Sequence, residues 1–421
     1  HVTAAPRAAA FLQERQLNIL QASYFVPEGQ EFYTQKAEEW GEQNGVAVTT
    51  DYIAWPDLQP RIAAAVEGGS GADIIEMWDI WPYLYSENMV PVDDLAQAVS
   101  EEYGGFYDWV VDTASVDGKW YSVPHGSSSS AFAYRISLVE EAGIEDPKNN
   151  FPKTYDELFA LGKTLKEMGK PFGQGLSHEP GDAPSFAYPF MWAHGAMEVE
   201  EDGTTVAINK PEFVEALQAF TQHWVDAYDE TGLSWDGAAN NRAFLSDQIS
   251  GTLNGSSIYI AAVNAKAGES TLDYEVQVEP DDIWHAGFPE GPAGRFNALG
   301  SRSMAAMSYS PNAEVAVEFL QHFFTPEVFI PWLEAQDGYI IPMAPGYADL
   351  EIYTGNPALA PYPEVAEYSR PKGYAGPSNQ KAAETAARYV IVDTIAQAIQ
   401  SGDAAGAVQQ AEAQLQRIYG S

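Results

Sequence analysis

Two tryptophans flank an aspartate in the stretch ADIIEMWDIWPYLY, residues 72–85. Trp78 and Asp79 follow an apolar run typical of a buried strand, and Trp81 comes two residues later. Aromatic faces can stack on the C–H faces of a sugar, and a carboxylate can accept hydrogen bonds from its hydroxyls. The stretch therefore predicts a site for a polyhydroxylated ligand. The alternative is a core corner in which both indoles pack inward and Asp79 caps the following helix.

The elements around this stretch alternate between strand and helix. Apolar patterns predict strands at 17–25, 46–53 and 72–78, with helices at 29–45 and 58–69 between them. Such a βαβαβ run indicates an α/β fold with a mostly parallel sheet and right-handed crossovers. Ligands of these sheets bind beyond the carboxyl ends of the strands, which is where Trp78 and Asp79 lie.

The rest of the chain is richer in helical patterns. Thr154, three residues before Glu157, predicts a capping box at the start of a helix in 151–169. Further helices are predicted at 210–230, at 314–333 with an interruption at Pro326, and as a pair in 380–420 split at Gly402.

Composition limits the class of protein and its partners. The 421 residues exceed one ordinary core, so two or three lobes are expected, and 45% hydrophobic residues supply enough material to fill them. The formal net charge of −39 would repel phosphate backbones and anionic membrane surfaces. Nucleic acid is therefore not an expected partner.

The search for catalytic and metal-binding motifs favours a protein that is not an enzyme. The absence of cysteine excludes disulfides, thiolate zinc sites and thiol nucleophiles, and the seven histidines are scattered singly. Adjacent residues of an extended chain point to opposite faces, so the serine run at 127–130 beside His125 is a poor catalytic arrangement. The sequence predicts no metal site and no cofactor.

Features of targeting are sparse. No apolar run reaches the length of a membrane span. The sequence begins at His1 and shows no signal core, so it is interpreted as a mature or trimmed chain that would no longer show a signal segment or a lipid-bearing cysteine.

Four segments in order resemble family 1 extracellular solute-binding proteins. They are DGKWYSVPHGSSSSAFAYRISLVEEAG at 117–143, FPKTYDELFALGKTL at 151–165, NNRAFLSDQISGTLNGSSIYI at 240–260, and the stretch at 288–328. The resemblance implies a two-lobed periplasmic-binding-protein fold with a ligand cleft and a hinge of crossover segments near residues 127, 287 and 327. It places residues 1–126 and 288–326 in the first lobe, and residues 127–287 and 327–421 in the second.

The resemblance also implies binding residues in the first lobe. Tyr24 and Phe25 follow the first strand and Trp55 follows the second, in positions that correspond to ligand contacts, as do Trp78, Asp79 and Trp81 at the third strand end. One departure concerns the family's tryptophan after Asn-Gly, where this chain has Ser257 and then Tyr259.

Candidates in the second lobe come from aromatic and polar residues in loops and helices. Each could equally serve packing. They are Trp192, Trp235, Asn254 and Tyr374. Arg295 and Asn297 are further candidates, since they are polar residues in the glycine-punctuated loop GRFNALG, which is expected to face the cleft. Arginine and lysine are sparse near the strand ends, so a neutral polyol fits better than an anion.

The function implied by the resemblance is capture of a carbohydrate, with an oligosaccharide expected, for delivery to the membrane subunits of an ABC transporter. The protein is expected to be monomeric and extracytoplasmic, either in a periplasm or as a cell-surface lipoprotein. Two alternatives stay open. The same scaffold could hold a polyamine through cation–π contacts, or the chain could be a glycoside hydrolase, which needs two carboxyl groups about 5 to 10 Å apart across the scissile bond.

Overall fold

The computed structural model of the protein describes residues 15–420. Residues 1–14 of the predicted first lobe, and Ser421, lie outside the described residues. Among the described residues, no helix combines the length and apolar character needed to cross a bilayer.

Fifteen strands are found in the described residues. In chain order they are β1 Arg15–Ala22, β2 Val46–Ile53, β3 Ile74–Trp78, β4 Ser115–Val116, β5 Lys119–Trp120, β6 Val123–Gly126, β7 Ala131–Arg135, β8 Phe172–Gly173, β9 Gly251–Asn254, β10 Ile283–Ala286, β11 Glu290–Gly291, β12 Gly294–Arg295, β13 Asn297–Ala298, β14 Arg302–Ala306 and β15 Ser369–Arg370.

Nineteen α-helices accompany them in the same part of the chain. They are α1 Pro27–Asn44, α2 Trp55–Gly68, α3 Pro82–Tyr85, α4 Asp93–Glu102, α5 Asp108–Ala114, α6 Ile136–Glu141, α7 Pro147–Asn150, α8 Tyr155–Glu167, α9 Asp182–Ala193, α10 Pro211–Ala227, α11 Ala239–Leu245, α12 Ser257–Ala267, α13 Ala313–Phe323, α14 Pro326–Glu334, α15 Glu351–Thr354, α16 Pro361–Glu364, α17 Gln380–Ala387, α18 Val390–Ser401 and α19 Ala404–Tyr419. Short 3₁₀ helices span Ser86–Asn88, Glu230–Ser234, Pro280–Asp282, Pro345–Tyr347, Pro357–Leu359 and Val365–Tyr368.

The first sheet has five strands in the order β2-β1-β3-β14-β6. Strand β1 pairs in parallel with both β2 and β3, which confirms the βαβαβ unit predicted from the sequence. Strand β14 enters antiparallel between β3 and β6. The carboxyl ends of β1, β2 and β3 therefore meet at one edge, and residues that follow them share that edge.

The second sheet has four strands in the order β10-β7-β9-β8. Its β10–β7 and β7–β9 pairs are antiparallel, and the β8–β9 pair is parallel. The chain passes from the first sheet to the second between β6 and β7, and returns between β10 and β14. The chain thus forms two α/β units, each built on one of these sheets and each with its own buried core.

The cores show which segments pack with each sheet. One large cluster joins the second sheet to α8, α9, α10, α18 and α19. The other joins the first sheet to α1 and α13, and it also contains Phe329, Trp332, Ile340, Tyr347 and Tyr362. The lobe boundaries predicted from the sequence stay a prediction, but this packing favours placing residues 327–362 with the first lobe, since their apolar side chains are buried there.

Local signals explain most helix boundaries. At α8, the Glu157 amide donates to Thr154 Oγ1 over 3.3 Å and the Thr154 amide donates to Glu157 Oε2 over 3.2 Å, which is the predicted capping box. The predicted split at Gly402 separates α18 from α19. The C-terminal segment contains one more helix than predicted, because Tyr389 adopts a left-handed φ of 55° and ends α17 before α18 begins.

Candidate functional site

A narrow cavity of about 50 Å³ lies between the two sheets. Phe25, Trp55 and Trp78 line it from the first sheet, because each stands just beyond or at the end of β1, β2 or β3. Its other lining residues are Ser128, Ser129, Ser130, Glu179, Gly181, Asp182, Ser185, Gly237, Asn254, Gly255 and Tyr339. The cavity thus has an aromatic wall and a polar wall, contributed by different sheets.

The aromatic wall is held by ring contacts and one hydrogen bond. The rings of Trp55 and Trp78 meet edge to face, with centroids 4.9 Å apart and planes at 69°. The Trp55 indole N–H donates to the Ser23 carbonyl over 3.0 Å. Phe25 packs against Tyr339 with a centroid distance of 6.1 Å. These contacts leave ring surface facing the cavity, where it can stack on an apolar ligand face.

A buried ion pair lies behind the aromatic wall. Arg302 Nε donates to Glu76 Oε1 over 2.7 Å, while Glu76 Oε2 accepts the Ala22 amide over 3.1 Å. Both side chains are almost fully enclosed, with exposures of 2% and 0%. The guanidinium carbon of Arg302 lies 4.8, 5.6 and 5.8 Å from the ring centroids of Trp55, Tyr24 and Trp78, within the range of cation–π contacts.

Two carboxyl groups stand on the polar wall at the start of α9. Glu179 accepts the amides of Gly181 over 2.8 Å and Ala183 over 2.5 Å, and Asp182 accepts from Asn240 Nδ2 over 2.5 Å. Burial raises the pKa of Glu179 to about 7, and burial together with repulsion from Glu179 raises the pKa of Asp182 well above its usual value. None of the described residues that line the cavity is a lysine or arginine.

An amide network completes the polar wall. Asn254 Nδ2 donates to Asn241 Oδ1 over 2.5 Å, and Asn241 Nδ2 donates to Ser257 Oγ over 3.0 Å. The Gly255 amide donates to Asn254 Oδ1 over 2.7 Å. Ser257 therefore supports Asn241 behind the cavity.

Four of the residues predicted from the sequence line this cavity: Phe25, Trp55, Trp78 and Asn254. Tyr24 lies beside them, where its hydroxyl donates to Gln21 Oε1 over 2.6 Å and its ring contacts Trp332. Their ligand contacts stay a prediction.

Asp79 is buried at the end of β3 beside a cation. Its carboxylate Oδ2 accepts a hydrogen bond from Lys372 Nζ, and its own amide donates to the Ser301 carbonyl. The left-handed φ of 54° at Asp79 turns the chain here, and a Cβ at Gly300 would overlap the Asp79 carboxylate. This placement favours a structural role over the predicted contact with ligand hydroxyls, which stays untested.

Three predicted tryptophans pack elsewhere. Trp81, 6% exposed, lies in a core behind α2. Trp192, 1% exposed, packs edge to face on Tyr374 at 5.7 Å. Trp235 donates from its indole N–H to Thr231 Oγ1 over 2.8 Å. None of these three is among the lining residues, so the structure favours the packing alternative for each.

The predicted loop residues also lie away from the cavity. Arg295 is exposed, with its guanidinium 5.6 Å from the Tyr368 ring. Asn297 is buried and donates from Nδ2 to Ser369 Oγ over 2.8 Å. The ring of Tyr374 contacts Trp192, and the Arg370 guanidinium lies 5.5 Å from its centroid. Packing therefore explains the placements of Asn297 and Tyr374, while Arg295 lies at the surface beside Tyr368.

The sequence interpretation missed Glu179, Asp182, Ser185 and Tyr339. A signal was present for the two acids, since HEPGDAP places carboxyl groups around a Pro-Gly turn directly before a helix. The serines at 128–130, a poor catalytic arrangement by their spacing, instead border the cavity where the chain crosses between the sheets.

A wider concavity of about 600 Å³ lies on the second sheet's side of the molecule, beside Tyr155, His194, His223 and Glu290. Its lining comes from the helices and loops of one core, so a ligand there would not be held between the two sheets. Among residues 15–420, no group of three or more histidine or acidic side chains is arranged to hold a metal ion.

Known proteins resemble this arrangement over most of the chain. A binding protein of Brucella abortus (strain 2308) is 24% identical over 358 residues, covering 81% of this chain and 79% of the relative. The maltose-bound structure of MalE3 from T. maritima superposes with a TM-score of 0.80 at 18% identity, covering 96% of this chain and 99% of the other. A tagatose-bound ABC transporter solute-binding protein from Thermotoga lettingae TMO gives a TM-score of 0.79 at 16% identity, covering 96% and 100%.

These likenesses confirm the α/β, two-lobed fold predicted from the sequence. The sequence model of the family described as bacterial extracellular solute-binding protein matches residues 35–361. The chain belongs to the bacterial extracellular solute-binding protein family.

Proposed function

We propose that this protein captures a carbohydrate in the cavity between its lobes and delivers it to the membrane subunits of an ABC transporter. The observation that carries the proposal is the pairing of the Trp55 and Trp78 wall with a wall of carboxyl, amide and hydroxyl groups. A sugar presents the same two chemistries, C–H faces that stack on rings and hydroxyls that need hydrogen-bond partners. Relatives of similar fold were solved with maltose, tagatose and laminaribiose.

The setting of this function is proposed from the family. Its members are described as extracellular, so we place the protein outside the cytoplasm, in a periplasm or on the cell surface through a lipid anchor. We propose that it acts as a monomer and presents surfaces of both lobes to its transporter.

A glycoside hydrolase is less well supported by the geometry. Glu179 and Asp182 lie three positions apart at one helix start, and both stand on the polar wall. Hydrolysis needs carboxyl groups on the two sides of the scissile bond, whereas the opposite wall here is aromatic. We therefore propose binding without turnover, which prolonged incubation with oligosaccharides and product analysis would check.

A cationic ligand such as a polyamine is a second candidate, because Glu179 and Asp182 have no lysine or arginine beside them in the cavity lining. A ligand screen by calorimetry should separate the two. We expect maltose, laminaribiose or tagatose to bind and spermidine not to bind. A cation would need ionised carboxylates, so its affinity would rise as the pH passes upward through about 7, near the pKa of Glu179. Binding of spermidine alone, with that pH dependence, would contradict the carbohydrate proposal.

Ligand binding should also change the separation of the lobes. The cavity of about 50 Å³ is far smaller than the roughly 300 to 1,000 Å³ of ordinary ligand pockets, so the lobes must part before a sugar can enter. Because the closed form gains contacts with both walls, ligand should shift the equilibrium towards closure. We expect small-angle scattering to give a smaller radius of gyration with the bound sugar than without it. A sugar that binds tightly and leaves the scattering profile unchanged would count against a hinge.

A further inference from the structure

The Glu76–Arg302 ion pair occupies a defined place in the first sheet. Arg302 opens β14 directly opposite Trp78 of β3, and Glu76 precedes Trp78 by two residues. Side chains two apart on a strand face the same side of a sheet, and directly opposed residues share a face. Register therefore brings the acid, the guanidinium and one indole together on the side of the sheet where the aromatic wall stands.

The guanidinium has little freedom to move. Arg302 Nε and Nη2 lie 2.7 and 2.5 Å from Glu76 Oε1. Glu76 is itself held by the Ala22 amide at 3.1 Å, and His125 Nε2 lies 3.6 Å from its Oε1. His125 in turn stacks on Trp332 with a centroid distance of 5.3 Å. The position of the cation is thus set by backbone and core groups rather than by the cavity.

Three rings from three different segments meet at this cation. Trp55, Tyr24 and Trp78 have their centroids 4.8, 5.6 and 5.8 Å from the Arg302 guanidinium carbon. Trp55 begins α2, Tyr24 follows β1 and Trp78 ends β3, so no single element fixes their mutual geometry. A planar guanidinium can engage aromatic faces in a way that an ammonium cannot reproduce.

We propose that the Glu76–Arg302 pair is a positioning device that sets the angle between Trp55 and Trp78 and thereby the affinity of the cleft for its ligand. This inference rests on the proposed function. Arg302 is not among the residues that line the cavity, so it acts on the ligand through the rings.

The alternative is an ion pair that only stabilises the first lobe, and a double variant distinguishes the two roles. Arg302→Met alone leaves Glu76 buried without its cation, so it should lose both stability and affinity. Glu76→Gln with Arg302→Met removes both charges, and such neutral replacements of a buried pair commonly restore stability. We expect the double variant to recover its unfolding midpoint yet to bind at least about tenfold more weakly than the natural protein.

Two further variants keep the comparison decisive. Arg302→Lys retains a cation beside Glu76 without the planar stack, and we expect a binding loss between those of the natural and double-variant proteins. Arg135→Met is the matched control, because Arg135 is paired with Asp247 and Asp282, both at 2.6 Å, in the second lobe. It should lose stability while its affinity stays within about twofold, because neither Arg135 nor its two partners line the cavity.

Near-ultraviolet circular dichroism of the ligand-free proteins provides a readout that does not depend on knowing the ligand. Removing Arg302 should change the indole bands in the same sense as Trp55→Phe does, since both disturb the Trp55–Trp78 contact. The sugar that stabilises the natural protein most, among maltose, tagatose and laminaribiose, serves as the binding probe. Failure of all three sugars to bind would refute the proposed function, whereas unchanged indole bands in the double variant, or natural affinity in it, would overturn the positioning role.

Discussion

Replacing Trp78 by alanine should weaken sugar binding by more than about tenfold. Removing a central aromatic anchor typically costs roughly 2 kcal/mol or more of binding free energy, and about 1.4 kcal/mol corresponds to a factor of ten. Trp78 lines the cavity and contacts both Trp55 and the Arg302 guanidinium, so its removal loses a stacking surface and loosens the neighbouring ring. Calorimetric titration with the sugar selected by the screen measures the effect.

The matched control is Trp284→Ala. Trp284 is also a partly buried tryptophan at a sheet surface, but it lies on β10 under Lys148 and away from the cavity. We expect its affinity to be unchanged while its stability falls. Natural affinity in a folded Trp78→Ala protein would refute the proposed role of the aromatic wall.

The sequence predicts the first lobe's half of the cavity well, for a physical reason. Parallel strands bring their carboxyl ends to one edge, so residues that follow β1, β2 and β3 must be neighbours whatever the rest of the chain does. Periodicity and glycine stops are sufficient to find these strands. Phe25, Trp55 and Trp78 can therefore be placed together from the sequence alone.

The second lobe's half depends on contacts that local pattern does not encode. Trp192 and Tyr374 are in contact although they are 182 positions apart in the sequence. Helix α9 is buried on every side, so its hydrophobic pattern does not indicate which of its faces points to the cavity. Glu179 and Asp182 approach the aromatic wall only because α9 packs its N-terminus there. Their acidic turn indicates a helix start, but what faces that turn depends on the packing of the two lobes.

The lobe to which residues 327–362 belong is also not indicated by local sequence pattern. Their sequence contains short helices and proline-rich turns with no pattern that favours one sheet over the other. The packing of Trp332 under His125, with ring centroids 5.3 Å apart, ties this segment to the first sheet. A tertiary contact between residues far apart in sequence thus favours the first lobe for this segment, and the lobe boundaries stay a prediction.

Asp79 shows how a contact between distant parts of the chain changes the interpretation of a candidate binding residue. A carboxylate beside two indoles at a strand end predicts a ligand contact, yet Lys372, 293 positions away, lies against it. Burial lowers the pKa of the Lys372 ammonium to about 7, and the adjacent carboxylate opposes that shift by favouring the charged form. Asp79 and Lys372 are 4% and 9% exposed, so each charge depends on the other.

Replacing Lys372 by methionine should therefore destabilise the protein strongly, by about 3 to 5 kcal/mol, because it leaves the Asp79 carboxylate buried and unpaired. The pair connects the end of β3 in the first sheet with a segment packed on the second core, where Lys372 Nζ lies 5.7 Å from the Tyr188 ring centroid. Chemical denaturation followed by circular dichroism measures the change in unfolding free energy.

The double variant Asp79→Asn with Lys372→Met tests the origin of that loss, since removing both charges should recover most of the stability.

Asp79→Asn alone separates the two roles considered for this residue. If the carboxylate serves the Lys372 pair, stability falls while sugar affinity in the folded protein changes by less than about threefold, because Asp79 does not line the cavity. If it instead accepts a ligand hydroxyl as its place in the sequence predicts, affinity falls by about tenfold or more, since a hydrogen bond to a charged group contributes about 1.5 to 3 kcal/mol. A small stability loss in Lys372→Met, together with a large affinity loss in Asp79→Asn, would contradict the structural role and support a direct contact between Asp79 and the ligand.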